Sequence, residues 1–221
     1  MKKQILLLAS IIISTFAIAQ VQPTYGVRVG VTSAGMQGDA VDNLKDMLDF
    51  TNGMVSTKSK QGFFAGGYAT IPVSNNLSVE PGLYYSQKGY EMQGALSLKG
   101  ADFLGANAKA KLNSQYIDIP VVLKANFSGF QVFAGPQFSY LLNADLQTTA
   151  GLLGFNLLNK KIDATSQFNR TDFAGTVGIG YNFGHGINIM ASYDHGLSKV
   201  DANKNLSSYN RLFKVGIGMS L

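Results

Sequence analysis

The chain contains no cysteine. That absence excludes a lipid anchor at a lipoprotein cysteine and a disulfide framework, so the fold must be held by hydrogen bonds and packing. Long hydrophobic runs are missing too. Beyond Ala19 no segment reaches the ~18 uninterrupted apolar residues of a transmembrane helix, which excludes a helical membrane protein. Histidine is confined to His185 and His195, and without cysteine these supply no transition-metal site of His and Cys ligands. Charged residues make up only 14% of the chain and are dispersed, with no basic stripe interleaved with aromatics, so a nucleic-acid partner is excluded as well. The Gly-x-Gly pairs at 178–180 and 216–218 lack the third glycine and following helix of a dinucleotide site, and no cofactor is expected.

What is present begins with a leader. Lys2 and Lys3 precede an apolar run from Ile5 to Phe16, and Ala17-Ile18-Ala19 supplies the small residues read by a signal peptidase. The run falls short of the ~20 residues of a membrane anchor. Residues 1–19 are therefore expected to be removed, with cleavage between Ala19 and Gln20 and a single mature domain over 20–221. Removing Lys2 and Lys3 from the 18 basic residues leaves 16 against 13 acidic ones. Export without a helical anchor leaves the periplasm, the surface or the outer membrane as destinations.

From Tyr25 onward, apolar and polar residues alternate in eight segments: 25–34, 61–72, 77–90, 113–124, 130–143, 170–183, 186–195 and 209–221. The connections alternate in length. Long ones fall at 35–60, 91–112, 144–169 and 196–208, and short ones at 73–76, 125–129 and 184–185. Tight turns on one side and long loops on the other are the pattern of an outer-membrane barrel, and an even strand number closes the sheet so that no backbone edge meets lipid. The sequence predicts an all-β, eight-stranded antiparallel up-and-down transmembrane barrel in a Gram-negative-type outer membrane, with the long loops outside the cell.

The two faces of the segments separate a membrane barrel from a soluble one. Leu77, Val79, Pro81, Leu83 and Tyr85 share one face, opposite Ser78, Glu80, Gly82, Tyr84, Ser86 and Lys88. The same holds for Phe130, Val132, Ala134, Pro136, Phe138, Tyr140 and Leu142 against Gln131, Phe133, Gly135, Gln137 and Ser139. Such apolar faces are too bulky to fill a narrow eight-stranded interior, whereas small residues such as Gly178, Gly180, Gly216 and Gly218 suit it. The polar faces then line the lumen with charges of both signs: Arg28, Glu80, Lys88, Asp118, Lys124, Asp172, Asp194 and Lys214. Inward charges must pair to survive a low dielectric, so this set is expected to be a structural network instead of an ion path. Tyr25, Tyr85, Tyr140, Phe183, Tyr193 and Tyr209 near the segment ends match interfacial aromatic girdles. In 61–72, Phe63 and Phe64 blur the alternation and leave the facing open.

Catalytic and binding patterns are sparse. Asp194-His195 with Ser198 stands at one segment end, but neighbours on a strand point to opposite faces, so Asp194 and His195 do not orient one another. His185 lies in a turn at the other end. No catalytic residue is assigned. Asn-x-Ser/Thr triplets at Asn76, Asn126, Asn169 and Asn205 are read as chance. In loop 35–60, Val41, Leu44, Met47 and Leu48 recur at helical spacing, the mark of a short amphipathic helix. Gly151–Leu158 is apolar for a surface loop and fits either burial over the barrel mouth or a docking surface.

The last residues, Lys214 to Leu221, resemble the C-terminal signal read by the barrel-assembly machinery, with Gly216, Met219 and Leu221 at its key positions. Pro81-Gly82-Leu83-Tyr84-Tyr85-Ser86-Gln87-Lys88-Gly89-Tyr90 and Tyr116-Ile117-Asp118-Ile119-Pro120-Val121-Val122-Leu123-Lys124 are similar to the PorT-like outer-membrane β-barrel family. Ala134-Gly135-Pro136 and Tyr193-Asp194-His195-Gly196-Leu197 fit the same pattern. The resemblance implies an eight-stranded outer-membrane barrel without a catalytic centre, some of whose members are tied to a secretion apparatus. The expected partners are outer-membrane lipid, the assembly machinery and envelope or secretion proteins. The leading expectation is a non-enzymatic barrel whose loops or rim engage envelope partners. The alternatives are an outer-leaflet enzyme or a passage for small hydrophobic molecules.

Overall fold

The computed structural model describes residues 22–38, 55–96, 106–152, 155–200 and 208–221. The leader, the Ala19–Gln20 cleavage point, the helix expected around 41–48 and Asn205 lie outside the described residues. One antiparallel sheet contains β1 (Thr24–Gly38), β2 (Val55–Ser74), β3 (Leu77–Leu96), β4 (Ala106–Phe127), β5 (Phe130–Leu152), β6 (Phe155–Asp163), β7 (Thr171–Asn182), β8 (Ile187–Gly196) and β9 (Ser208–Ser220). Eight of these close into a ring in the order β1-β2-β3-β4-β5-β7-β8-β9, with β9 pairing back onto β1 from Gly26↔Ser220 to Gly38↔Ser208. The fold is thus an all-β barrel of eight strands.

β6 stands outside the ring. It pairs with the far end of β5, from Asp145↔Asp163 to Leu152↔Phe155. This corrects the expected loop 144–169, which contains the end of β5, all of β6 and a single 3-10 turn at Thr165–Gln167. The expected loop 91–112 is likewise mostly strand, because β3 continues to Leu96 and β4 begins at Ala106. Of the apolar stretch 151–158, Gly151 and Leu152 end β5 and Phe155 to Leu158 begin β6, the two paired antiparallel, while 153–154 lie outside the described residues. As a result β2 to β5 run for 20, 20, 22 and 23 residues, against 12, 10 and 13 for β7 to β9. One wall of the barrel is nearly twice as tall as the other.

The short connections all lie at the end where β1 starts and β9 finishes. Ser128 and Gly129 take φ values of 52° and 95°, the paired left-handed geometry that matches the twist of a two-residue hairpin. Asn126 Oδ1 accepts the Gly129 N–H at 3.0 Å, and Asn182 Oδ1 accepts that of Gly184 at 3.0 Å, so each turn is closed by the asparagine before it.

Along the lower part of the ring the outward face is wholly apolar. Val29, Leu83, Val121, Val132, Ile179, Ile189 and Ile217 are exposed there, and among the described residues no charged side chain shares that face. The inward face carries the polar residues, but it is not filled by small ones as expected. Phe64, Tyr68, Tyr84, Tyr116 and Phe133 all point in and are buried. Glycines on neighbouring strands make the room: a Cβ on Gly30 would lie 2.5 Å from the Phe64 ring, and one on Gly216 2.6 Å from it. Each large ring therefore occupies a place that missing side chains leave open. The same fit settles β2, where Phe64 is 2% exposed inside while Phe63 is 48% exposed outside.

Candidate functional site

The lumen is built in levels. At the short-turn end is a polar vestibule of about 200 Å³ to which every strand of the ring contributes, among them Thr24, Thr70, Ser78, Asn126, Gln131, Asn182, Asn188 and Ser220. Its floor is an ionic cluster. Arg28 Nη1 donates to Glu80 Oε1 at 2.9 Å and to the Tyr84 hydroxyl at 3.0 Å, and Lys124 Nζ donates to Glu80 Oε2. Thr70 Oγ1 adds a donor to Glu80 Oε2 at 3.3 Å, while the Arg28 guanidinium also lies 4.1 Å from the centre of the Tyr68 ring. Two cations share one carboxylate here.

Above the floor, Phe64, Tyr84 and Phe133 close around a residual void of about 30 Å³. A second ionic cluster follows. Asp118, fully buried, pairs with Lys88 at 2.8 Å and Lys214 at 3.5 Å, and takes the Ser86 hydroxyl at 2.6 Å. Lys214 also meets Asp194 at 2.7 Å and Gln137 Oε1 at 2.9 Å, and Thr176 donates to Asp194 at 2.9 Å. Asp172 has no cation within ion-pair distance among the described residues. Its two oxygens are taken by Ser198 Oγ and Asn210 Nδ2, each at 2.7 Å.

All eight charged residues named from the sequence are thus buried in the lumen, four of each sign. Alternation already puts Tyr84, Ser86 and Gln137 on the polar faces, but it does not pair them with these charges. Sequence reasoning missed Asn210 and the contact of Ser198 with Asp172; the signal for Asn210 is its inward phase on β9. With both signs balanced and every carboxylate hydrogen-bonded, the cost of burying these charges is offset within the barrel.

The outer mouth is covered. Leu112, Tyr116, Leu141 and Ala144 form a buried apolar cluster, with Met36, Tyr90 and Phe168 packed on it. Phe168 comes from a strap after β6 that is pinned at several points: Ala164 N–H to Ala144 O at 2.8 Å, the Thr165 hydroxyl on Ala144 N–H at 3.0 Å, and Asn169 N–H to Val200 O at 2.8 Å. Among the described residues, Phe64, Tyr84, Phe133 and the Leu112–Tyr116–Leu141 cluster pack across the lumen.

The residues of a catalytic reading are not brought together. Asp194 is buried in the lumen, His195 is exposed on the opposite face, and Ser198 bonds to Asp172 and to the Phe173 N–H. His185 lies in the β7–β8 turn at φ 50°. Of the C-terminal positions, Met219 and Leu221 are exposed outward, and Gly216 faces in against Phe64.

Outside the barrel the decisive feature is a change of sense along the tall strands. On β4 the outward residues are Ile117, Ile119, Val121 and Leu123 below, but Asn113 and Lys111, and then Lys109, above, while Leu112 and Tyr116 are buried inside. On β3, Leu83 and Tyr85 give way to Gln87 and Glu91, and on β5, Phe138 and Tyr140 give way to Asp145 and Gln147. The switch occurs at one level, where β5 carries a one-residue irregularity opposite Gln115–Tyr116. Aromatic pairs lie just below it: Phe63–Tyr85, Phe138–Phe173 and Tyr193–Phe213, with centroids 5.6, 5.2 and 4.8 Å apart. An apolar band about 25 Å tall, topped by aromatics, is the lipid-facing surface of an outer-membrane barrel.

Comparison with known proteins agrees with that class. A family model described as outer membrane protein beta-barrel domain matches residues 18–202. The chain belongs to this family, and it resides in the outer membrane of Gram-negative bacteria. No curated protein matches it. Among solved structures it is similar to neisserial surface protein A at 12% identity and TM-score 0.48, covering 90% of this chain and 99% of that one. It is similar also to the attachment invasion locus protein of Yersinia pestis, crystallised with a heparin analogue, at 11% identity, TM-score 0.45 and coverage of 90% and 99%. OprG of Pseudomonas aeruginosa stands at 11%, TM-score 0.43 and coverage of 91% and 97%.

Proposed function

We propose that this is a non-enzymatic, non-conducting barrel that holds a rigid β-sheet wall above the membrane for contact with other envelope or extracellular proteins. The observation that carries this reading is the change of sense along β3, β4 and β5, which ends the lipid band while the sheet continues. The ten β4 residues from Ala106 to Gln115 rise about 25 Å at the usual strand rise and tilt. The wall ends in β6, whose outer edge has no strand partner among the described residues. Unpaired backbone donors and acceptors on such an edge can add a strand from another chain. A filled lumen and scattered His195, Asp194 and Ser198 favour this role over transport or hydrolysis.

Within the family, the stretches Pro81–Tyr90 and Tyr116–Lys124 support placement among PorT-like barrels, and with it contact with a secretion apparatus. The C-terminal pattern of Gly216, Met219 and Leu221 supports recognition by the assembly machinery during insertion. The test is crosslinking in native membranes with a tagged, chromosomally encoded copy, beside a variant lacking residues 147–161. The intact wall is expected to capture a reproducible set of envelope proteins that the shortened, still folded variant loses. An identical set from both, or none from either, contradicts the proposal.

A further inference from the structure

The vestibule at the short-turn end faces the periplasm, and its electrostatics are unlike those of the rest of the lumen. Arg28, Lys124 and Glu80 leave one positive charge in excess at its floor, whereas Lys88, Lys214, Asp118, Asp194 and Asp172 leave one negative charge in excess further out. Glu80 is saturated. Its oxygens already accept from Arg28, Lys124 and Thr70. Lys124 is not. An ammonium carries three donors, and Glu80 is its one hydrogen-bond acceptor among the described residues. The Phe133 and Tyr68 ring centres stand 5.8 and 5.9 Å from its Nζ, and Lys124 lines the vestibule with two donors that no protein acceptor among the described residues takes.

That space is polar and of ligand size. About 200 Å³ corresponds to roughly six or seven waters of liquid volume, and its walls carry neutral hydroxyls and amides able to bond either lone pairs or protons. Asn188 is held by three contacts, its Oδ1 accepting from Arg28 Nη2 at 3.3 Å and its Nδ2 donating to the Tyr68 hydroxyl at 2.9 Å and to Gly186 O at 3.4 Å. The cluster below the ligand is therefore pre-organised, and binding needs no rearrangement of it.

We propose that the vestibule is a binding site for a carboxylate entering from the periplasm, with Lys124 as its cationic anchor. One negative charge completes the local balance. Charge-assisted hydrogen bonds to the two open Lys124 donors supply the affinity, and the hydroxyl and amide walls orient the rest. The carboxylate can belong to a free small acid or to the C-terminus of a peptide, and the site recognises what they share.

The test uses the full mature protein folded in detergent micelles, titrated with acetate at constant ionic strength and followed by amide NMR shifts. Saturable shifts confined to Ser78, Asn126, Gln131 and Asn188 are expected, with the apparent affinity falling at least tenfold in Lys124→Met. Because Arg28 still neutralises Glu80, that variant keeps a paired carboxylate, and its heat-dependent gel migration reports whether it has folded. A second variant, Ser78→Phe, fills the vestibule and leaves every charge in place; it too should abolish the shifts. Peptides with a free or an amidated C-terminus separate the two sources. Tighter binding of the free-acid peptide than of acetate assigns a chain end, and acetate alone assigns a small acid. Linear, non-saturating shifts, or shifts spread over Lys109 and Lys111 and unchanged in Lys124→Met, overturn the proposal.

Discussion

The lower and upper halves of β3, β4 and β5 are the same strands with the inward face buried throughout, but with the polarity of the two faces exchanged. Below the level of Tyr85, Ile117 and Tyr140, apolar side chains point out and Glu80, Asp118 and Ser139 point in; above it, Lys111 and Asp145 point out and Leu112 and Ala144 point in. Alternation with a period of two makes a strand in both halves. Which face is apolar records what surrounds it. Lipid lies outside the lower half and water outside the upper, where the interior closes with an apolar cluster like that of a soluble sheet. The lid of Leu112, Tyr116, Leu141 and Phe168 is thus the core of the upper half and the stopper of the lower.

The two halves should differ most in what their charges contribute. Asp118→Ala leaves Lys88 and Lys214 buried without their shared carboxylate, and removal of one partner of a buried pair costs about 3–5 kcal/mol. Lys111→Ala, at 3.9 Å from Glu91 and partly exposed, should change stability by less than about 0.5 kcal/mol. Urea unfolding in micelles, read by heat-dependent gel migration, measures both. Equal effects would mean that the two halves do not differ as described.

A somewhat smaller effect is expected from adding a charge to the outward face at two heights. Ile119→Lys places an ammonium in the lipid band and should destabilise by about 2–4 kcal/mol, the cost of lysine near the bilayer midplane. Gln147→Lys adds the same group above the switch and should be nearly neutral. Folding yields and unfolding midpoints in bilayers of defined thickness check the pair. A penalty at both positions would put the upper half in lipid.

Much of this was legible in the residues. The phase of Arg28, Glu80, Lys88, Asp118, Lys124, Asp172, Asp194 and Lys214 is a property of alternation, and so is the outward set from Val29 to Ile217. The upper half was also written in the sequence: Lys109, Lys111 and Asn113 alternate with Ala110, Leu112 and Ser114 as regularly as any lower segment. A strand of ~10 residues already reaches the height of a lipid band, so the alternation that runs on through 91–112 is not distinguished from loop by length alone. Other features depend on distant pairings that one strand does not reveal. Phe64 faces inward because Gly30 and Gly216, far apart in sequence, leave space for its ring. Asp172 is satisfied by Ser198 and Asn210 through closure of β7, β8 and β9.

The lipid boundary is expected to cross β4 between Gln115 and Ile117. With no native cysteine, single cysteines can be placed at 109, 111, 113, 115, 117, 119, 121 and 123, spin-labelled and reconstituted into lipid vesicles. Collision with oxygen, which partitions into lipid, is expected to dominate at 117–123, and collision with a water-soluble nickel chelate at 109–115, with the crossover within one residue pair. Oxygen dominance continuing to 109, or no crossover along the series, would contradict the account.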